Sequence, residues 1–192
     1  SKVLRVIYYL PVVTSAVAIN LVWRYIFQAE SGAFNLIFGL TKINNGKPIY
    51  WLGTNKWLIK VAVIIKNIWS GIGTTMILYL AGLNNISKTY YEAAEIDGAS
   101  NIQKFLHITL PLIKPTTFYL LITGIIGGLQ SYTDAVVFAE GHEGVRTIVW
   151  YIWHYGIDSG NYGYASAVST FLGIVIMLIT LIQFKRTKML DI

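Results

Sequence analysis

The sequence of 192 residues contains no cysteine, and only 12% of its residues carry a charge. The absence of cysteine excludes disulfide bonds, zinc sites with thiolate ligands and cysteine nucleophiles. The low charge argues against a soluble domain, because a soluble chain of this length needs more charged residues to cover its surface. The basic residues are scattered and form no stripe, so the net charge of +6 does not indicate a nucleic-acid-binding protein.

The sequence instead has long runs without charge. Four such runs, of 18, 21, 19 and 26 residues, cover Val6–Trp23, Asn67–Ser87, Pro115–Thr133 and Ser159–Phe184. A helix needs about 20 residues to cross the hydrocarbon layer. Strands of membrane barrels alternate apolar and polar residues, whereas residues 172–182, LGIVIMLITLI, are apolar on every side. The sequence therefore predicts an all-α, multi-pass protein of the lipid bilayer.

The polar residues between these runs divide the chain into spans and connectors. A single transmembrane domain over residues 1–192 is expected, with polar connectors at Gln28–Asn55 and Asp134–Asp158. Pro11 is expected to kink the first span, and Lys60 and Lys66 in the second to snorkel towards a surface or to face a wet cavity. The apolar fragment FNLIFGL in the first connector is placed at the membrane interface. The predicted spans are Leu4–Phe27, Trp57–Leu83, Leu110–Tyr132 and Tyr162–Phe184.

Basic residues predict the orientation of the spans. Eight lysine and arginine residues lie on the side of both termini, whereas the Asp134–Asp158 connector has one arginine and four acids. Cytoplasmic loops carry an excess of lysine and arginine, so both termini and residues 85–109 are predicted to be cytoplasmic. Lys42, Lys47 and Lys56 in the first connector argue the other way. The eight basic residues are Lys2, Arg5, Lys88, Lys104, Lys114, Lys185, Arg186 and Lys188.

The most polar segment lies between the second and third spans, where residues 90–115 read YYEAAEIDGASNIQKFLHITLPLIKP. Thr89 with Glu92, and Ser100 with Gln103, have the spacing of capping boxes, in which two side chains satisfy the first amides of a helix. The segment therefore predicts two short helices.

A sharp turn is predicted between these two helices. Gly98 lies there, where a helix commonly ends in a left-handed residue. The second helix is expected to run to Thr109, after which Pro111 and Pro115 redirect the chain into the third span.

One face of the first helix is suited to contact with another surface. Its members recur at i, i+3, i+4 and i+7, and its paired alanines permit close approach. Glu92 and Glu95 lie on an adjoining face, available to a basic partner. An interfacial hairpin that only links two spans explains the spacing equally well. The shared face consists of Tyr90, Ala93, Ala94 and Asp97.

The segment resembles the EAA loop of bacterial ABC-importer permeases. In that family the loop forms a coupling helix, which docks in a cleft of the ATPase subunit. The resemblance implies that residues 85–109 form this loop, that Glu92 pairs with a basic residue of the ATPase and that Gly98 makes the turn. Ser87 departs from the proline that many members carry before the helix. The matching residues are Glu92, Ala93, Ala94, Asp97, Gly98, Ala99, Phe105, Ile108, Leu110, Pro111 and Pro115, of which the first six are the implied coupling residues.

Three spans resemble those of the maltose-type sugar permeases. Residues 8–27, YYLPVVTSAVAINLVWRYIF, are similar to the third span of that family, residues 68–86 to the following span and residues 163–185 to the last. Such permeases carry further N-terminal spans, so this chain is expected to lack them. GHEG at residues 141–144 departs from the usual Gly-Gly-Pro. The resemblance implies the core of a type I ABC-importer permease in the bacterial inner membrane.

The same resemblance implies partners. They are a second homologous permease, two copies of an ATPase subunit and an extracytoplasmic solute-binding protein. The sequence has no GxxxxGK[ST] phosphate-binding motif, so ATP and Mg²⁺ are expected in the separate ATPase and no cofactor on this chain. The implied function is ATP-driven import of a sugar or oligosaccharide, with glycerol phosphate or another small polar solute as the alternative.

Polar groups are costly within a bilayer, so those inside the spans are candidates for a solute pathway. Sugars are bound by aromatic faces together with amides and hydroxyls, and Trp69, Gln130 and Tyr132 supply such groups. In maltose-type permeases, the positions that line the sugar site resemble Ser70, Gly71, Thr74, Leu129, Gln130 and Thr133. The candidate pathway residues are Trp69, Ser70, Gly71, Thr74, Leu129, Gln130, Tyr132 and Thr133.

Some of these residues also have a purely structural explanation. Serine and threonine in membrane helices often bond their own helix or a neighbouring one. Trp69 is equally well explained as a core or interface residue. Gly124 and Gly128 form a GxxxG pair, which is expected to pack against another helix.

The sequence argues against two other functional classes. An ion-coupled secondary transporter would need carboxylates within the spans, and none of the four uncharged runs contains one. A membrane-embedded enzyme would need clustered catalytic or metal-binding groups. No such cluster is found, and His107, His142 and His154 lack ligand spacing, so no catalytic residue and no metal site are predicted.

Overall fold

The computed structural model describes residues 8, 10–37, 47–140 and 142–187, and this part of the chain contains helices and no strand. Three π-helical turns, Phe105–Thr109, Asp134–Phe138 and His154–Asp158, and a 3₁₀ turn at Glu143–Val145 interrupt or extend the α-helices. The α-helices are α1 (Ala16–Ile26), α2 (Ala33–Ile37), α3 (Lys56–Asn84), α4 (Lys88–Ile96), α5 (Asn101–Lys104), α6 (Leu110–Leu112), α7 (Lys114–Leu129), α8 (Ile148–Trp153) and α9 (Tyr162–Thr187).

Two helices of the described chain are long and apolar enough to cross a membrane, α3 over Lys56–Asn84 and α9 over Tyr162–Lys185. A third span results if Asn101–Leu112 and Lys114–Leu129, which are bent by 55° relative to each other, are counted as one. The all-helical prediction is confirmed, and the second and fourth predicted spans agree with α3 and α9 within a few residues. Only 17% of the most apolar 18-residue stretch of α3, and 11% of that of α9, is buried inside the protein, so lipid or other chains must cover the rest.

The first predicted span is broken within the described residues. Residues 10–13 are helical, Thr14 and Ser15 are not, and α1 begins at Ala16. The Thr14 hydroxyl donates to the Leu10 carbonyl at 2.8 Å, which satisfies one acceptor released by the break. The discontinuity therefore lies three residues after Pro11, and the predicted start of this span lies outside the described residues.

An aromatic core joins α1 and α3 to both connectors. The ring centroids of Trp23 and Trp69 lie 5.5 Å apart, those of Phe27 and Phe34 4.6 Å apart, and those of Phe27 and Trp51 5.5 Å apart. Aromatic pairs at such separations add to the free energy gained by burying their surface. The buried members are Ile19, Trp23, Phe27, Ile59, Ala62, Phe138 and Ala139.

The first connector is ordered by one buried amide. Asn35 is 1% exposed, and its Nδ2 donates to the carbonyls of Ala29 at 2.7 Å and Ile49 at 2.8 Å. Its Oδ1 accepts a hydrogen bond from the Trp51 indole at 2.9 Å. The FNLIFGL fragment is thus partly a core element, because Phe34 and Asn35 face the protein while the following Leu36 and Ile37 are exposed; its last three residues lie outside the described chain.

Candidate functional site

The polar segment that resembles an EAA loop begins with a cap at Ser87. This residue has extended backbone angles, and its Oγ accepts the Thr89 amide at 3.4 Å. The predicted capping box of Thr89 and Glu92 is wrong, because the chain is already helical at Lys88 and Thr89 therefore lies inside the first turn. A serine at the cap satisfies one of the free amides that every helix start exposes.

The turn after α4 is made by Gly98, as predicted. Gly98 has φ +75°. Its amide donates to the Glu95 carbonyl at 3.0 Å, and the Ala99 amide donates to the Ala94 carbonyl at 2.8 Å. These two bonds form a Schellman motif, in which the left-handed residue ends the helix and satisfies its last carbonyls. A Cβ at Gly98 would meet no atom of the part of the chain that the structure describes within 4 Å, so the backbone angle is what selects glycine here.

We expect Gly98→Ala to loosen this turn and Gly98→Asn to loosen it less. Alanine in the left-handed region costs about 1 kcal/mol, whereas asparagine tolerates that region better. About 1 kcal/mol corresponds to a roughly fivefold larger population of the opened turn. Trypsin cleavage after Lys104 in the detergent-solubilised protein measures this population, and equal cleavage rates for all three proteins would contradict the expectation.

The second helix of the segment starts as predicted and ends later. The Ser100 amide donates to Gln103 Oε1 at 2.8 Å and the Gln103 amide donates to Ser100 Oγ at 3.4 Å, which confirms the capping box. The helix does not stop at Thr109 but continues through the π turn and α6.

Prolines determine where this continued helix changes. The Leu110 amide reaches back five residues to the Phe105 carbonyl, and Pro111, which has no amide hydrogen, follows at once. The bend lies at Ile113, just before Lys114, whose helical conformation is disfavoured by the following Pro115. The predicted change of direction at Pro111 and Pro115 is therefore confirmed, whereas the predicted end of the helix at Thr109 is wrong.

The two glutamates of α4 have different environments. Glu95 Oε1 accepts a hydrogen bond from Lys104 Nζ at 2.6 Å, across the turn. This hydrogen bond, followed by the lysine charge, lowers the pKa of Glu95. The pair therefore stabilises the folded segment fully above the ordinary glutamate pKa and loses its effect as the pH falls through the lowered value.

Glu95 is thus paired within the chain, but 65% of its side chain stays exposed, so its availability to a basic partner remains a prediction. Glu92 is exposed and makes no ion pair with any residue that the structure describes. No residue of α4 is buried, and Ile96 on α4 and Ile102 beyond the turn are 89% and 72% exposed. Apolar side chains exposed next to a free carboxylate are typical of an interaction surface.

A polar cavity lies beside the end of α7, and we call it the Gln130 cavity. It has a volume of about 540 Å³. Amide, hydroxyl and carboxylate groups from α3 and from the segment after α7 form one wall, and three glycines form the other. Its lining residues are Asn67, Gly124, Gly127, Gly128, Gln130, Ser131, Tyr132, Thr133 and Asp134.

A buried ion pair borders this cavity. Lys66 and Asp134 are 4% and 8% exposed, and Lys66 Nζ donates to Asp134 Oδ1. Lys66 Nζ also donates to Asn20 Oδ1 at 3.1 Å, and Asn67 Nδ2 donates to Asp134 Oδ2 at 2.8 Å. The network joins α1, α3 and the segment after α7. The prediction that Lys66 snorkels towards a surface or faces a wet cavity is wrong, because a carboxylate inside the protein pairs with its charge.

The predicted pathway residues do not all lie together. Gln130, Tyr132 and Thr133 line the Gln130 cavity, and Gly71 lines an adjoining groove that shares Asn67. Trp69 instead packs edge-on against Trp23, as part of the aromatic core. The remaining predicted residues line neither the Gln130 cavity nor this groove; they are Ser70, Thr74 and Leu129.

Sequence reasoning missed the ion pair and misjudged the glycines. A lysine and an aspartate at the edges of two apolar runs were the available signal, since charges near a bilayer interior are usually paired. Gly124 and Gly128 were expected to pack on a helix, but a Cβ at either position would meet no atom of the described residues within 4 Å. Both glycines contribute to the open wall of the Gln130 cavity. Within the described residues no group of three potential metal ligands is found.

The sequence matches a known family of membrane proteins. The family described as "Binding-protein-dependent transport system inner membrane component" matches residues 1–186. The chain belongs to this family. Its resemblance to permeases of binding-protein-dependent importers is thereby confirmed, and this permease-family chain is a helical component of the inner membrane.

Its relatives include named sugar permeases. The chain is 35% identical over 182 residues to the arabinooligosaccharides transport system permease protein AraP of Bacillus subtilis (strain 168), an alignment that covers 92% of this chain and 56% of AraP. It is 33% identical over 193 residues to the lactose transport system permease protein LacF of Rhizobium radiobacter, covering 98% and 64% of the two chains. The permease-family chain thus spans less than two thirds of the length of these relatives.

Solved structures show the same fold. A bacterial ABC transporter involved in the import of the acidic polysaccharide alginate has a chain that matches with a TM-score of 0.84 and 27% identity, over 97% of this chain and 65% of that one. The bacterial alginate transporter in complex with an alginate pentasaccharide-bound periplasmic protein matches with a TM-score of 0.82 and 28% identity, over 95% and 63%.

Proposed function

We propose that this permease-family chain forms part of the solute pathway of an ATP-driven importer for a sugar or oligosaccharide. The observation that carries the proposal is the Gln130 cavity. It offers an aromatic ring, two amides and two hydroxyl side chains in a helical membrane protein of the importer family. Sugars need these groups, because apolar ring faces pack on aromatic rings while amides and hydroxyls replace water at the sugar hydroxyls. The names of AraP and LacF support the same solute class.

The second part of the proposal concerns residues 85–109, which we assign to the cytoplasm as a coupling loop. Basic residues around this segment support the orientation. Glu92 is exposed without an ion pair among the described residues, and α4 ends in a turn held by two backbone bonds at Gly98. A short helix with such a rigid end can transmit a displacement. We assign the contact with the ATPase to Glu92, Ala93, Ala94, Asp97, Gly98 and Ala99.

The complete transporter would contain further subunits. They are a second homologous permease, two ATPase subunits that bind ATP and Mg²⁺, and an extracytoplasmic solute-binding protein; no cofactor is assigned to this chain. The large exposed apolar surfaces of α3 and α9 support a permease partner as well as lipid. ATP binding would close the ATPases and shift the spans between inward-facing and outward-facing states, which differ in their affinity for solute.

The test is a solute screen on the assembled complex in proteoliposomes. Arabinotriose, lactose, maltose and glycerol 3-phosphate are each offered with the binding protein, and ATP hydrolysis and uptake are measured. We expect at least one sugar to stimulate hydrolysis and to accumulate in an ATP-dependent manner. Uptake of glycerol 3-phosphate alone would overturn the sugar assignment, and uptake without ATP would overturn the proposed class of transporter.

We expect Gln130→Ala to lower the initial rate of sugar uptake about tenfold while the complex still assembles. The side chain is exposed in the cavity, so its removal leaves no buried group unpaired, and the loss corresponds to one or two hydrogen bonds to solute. Gln28→Ala, an exposed glutamine of the first connector, is the matched control and should transport normally. Unchanged uptake by Gln130→Ala would remove Gln130 from the pathway.

A further inference from the structure

The buried ion pair beside the Gln130 cavity has a second consequence for the cavity wall. Lys66 Nζ donates to Asp134 Oδ1, and both side chains are buried, so the Asp134 carboxylate lies directly against a lysine ammonium group. The other carboxylate oxygen, Oδ2, accepts from Asn67 Nδ2 at 2.8 Å. Asn67 is the exposed member of this network, and it lines both the Gln130 cavity and the adjoining groove.

The carboxylate of this ion pair determines how the Asn67 amide is oriented. A carboxylate only accepts hydrogen bonds, whereas an asparagine amide has one donating and one accepting end. Turning the amide over would bring its carbonyl oxygen against Asp134 Oδ2, and two acceptors would face each other. The Asn67 carbonyl Oδ1 is therefore directed away from Asp134, and no residue of the described chain donates a hydrogen bond to it.

We propose that Lys66 and Asp134 are positioning residues that keep the Asn67 carbonyl oxygen available to accept a hydrogen bond from a hydroxyl of the solute. Lys66 acts through Asp134, and Asp134 acts through Asn67. The wall of the cavity then presents an acceptor at Asn67 to a polyhydroxylated solute. This inference rests on the proposed function for the identity of the solute, but the orientation of the amide follows from the ion pair alone.

The test exchanges the two side chains that share the hydrogen bond. In Asp134→Asn, Lys66 binds the oxygen of the new amide, so the new NH₂ group faces Asn67. The Asn67 amide then turns over, so that its carbonyl oxygen accepts from the asparagine introduced at position 134. Its NH₂ group now faces the cavity, which is offered a donor in place of an acceptor. In Asn67→Asp, two carboxylates face each other. The double variant Asn67→Asp/Asp134→Asn again has one donor facing one acceptor, keeps one positive and one negative charge in the network, and returns an acceptor to the cavity.

Two measurements are made on the assembled transporter in nanodiscs and proteoliposomes. We expect Asn67→Asp to lower the apparent melting temperature by about 5 °C and the double variant to recover most of it. We expect Asp134→Asn to lower uptake of the best sugar in the screen about fivefold per assembled complex, which is the effect of one misplaced hydrogen bond. The double variant should return to within about twofold of the wild type.

The outcomes separate this inference from the proposed function. Wild-type uptake by Asp134→Asn would overturn the positioning role, and so would a double variant that recovers stability but not uptake, because the pair would then serve the fold alone. If the wild-type complex imports no sugar of the screen, the proposed solute class fails. The melting temperatures then still decide the orientation of the amide, since additive losses in the double variant would overturn it.

Discussion

Replacing Glu92 by lysine is expected to abolish ATP-driven uptake, with a loss of about 100-fold, while the protein still inserts into the membrane. Glu92 is exposed on α4 and makes no ion pair among the residues that the structure describes, so its replacement leaves the packing of the chain intact. In the proposed complex the new lysine would face a basic residue of the ATPase, and like charges brought together at an interface strongly disfavour the contact.

The measurement combines three readouts on the purified complex. Membrane insertion, recovery of the ATPase subunit with the permease, and ATP hydrolysis stimulated by the loaded binding protein are compared with uptake. We expect insertion to be normal and stimulated hydrolysis to be lost together with uptake. Wild-type uptake by Glu92→Lys would contradict the coupling role of α4, whereas loss of insertion would show that Glu92 serves the fold.

A matched pair of milder variants distinguishes the two glutamates of α4. Glu92→Gln removes the free carboxylate charge and should lower uptake about tenfold. Glu95→Gln removes the same charge three positions further along α4, but the partner of Glu95 is Lys104 of the same chain. Because exposed pairs of this kind contribute little, uptake should change less than twofold. Equal effects of the two variants would mean that α4 responds to net charge and not to one specific contact.

The second large effect is expected from Lys66→Met, which should lower the apparent melting temperature of the complex by roughly 10 °C. Methionine fills a similar volume but leaves the Asp134 carboxylate, 8% exposed, without its cation. An uncompensated buried charge destabilises a protein by about 3–5 kcal/mol. The Lys66–Asp134 pair connects residues 68 positions apart in sequence, so the loss loosens the contact between α3 and the segment after α7.

Thermal unfolding of the purified complex, followed by intrinsic fluorescence, tests this expectation. The double variant Lys66→Met/Asp134→Leu is the control, because removing both charges restores a neutral, apolar site and should regain most of the stability. A Lys66→Met complex as stable as the wild type would show that water solvates the Asp134 carboxylate or that another subunit supplies the counter-charge. Uptake by the stable double variant should stay low, because Asn67 then has no carboxylate to orient it.

Local features of the candidate coupling loop were predictable from the sequence. Gly98 and the Ser100–Gln103 box were correctly assigned, because a left-handed turn and a cap each depend on residues within four positions of one another. The start of α4 was misplaced since Ser87 and Thr89 are both good caps, and only the path of the chain decides between them. The pairing of Glu95 with Lys104 depends on how the turn folds back, which spacing does not reveal.

The candidate cavity was less predictable. Gln130, Tyr132 and Thr133 were correctly placed side by side, because they lie within four consecutive positions just after the end of α7. Trp69 was assigned to the pathway, but the rotation of α3 directs it against Trp23 in the core. Helical periodicity defines which residues share a face of α3, and it does not define which face meets the neighbouring helix.

The sequence by itself determined that this chain is a helical membrane protein, because long uncharged runs can satisfy their backbone groups in a bilayer only as helices. It also determined the family, because the EAA-like segment has a dense and specific pattern. The tertiary structure alone decided the partners of the charges. Lys66 and Asp134 meet because α3 and the segment after α7 lie side by side, and the free energy of a buried charge depends on what lies within a few ångströms of it in space. That distance is set by packing between residues far apart in the chain.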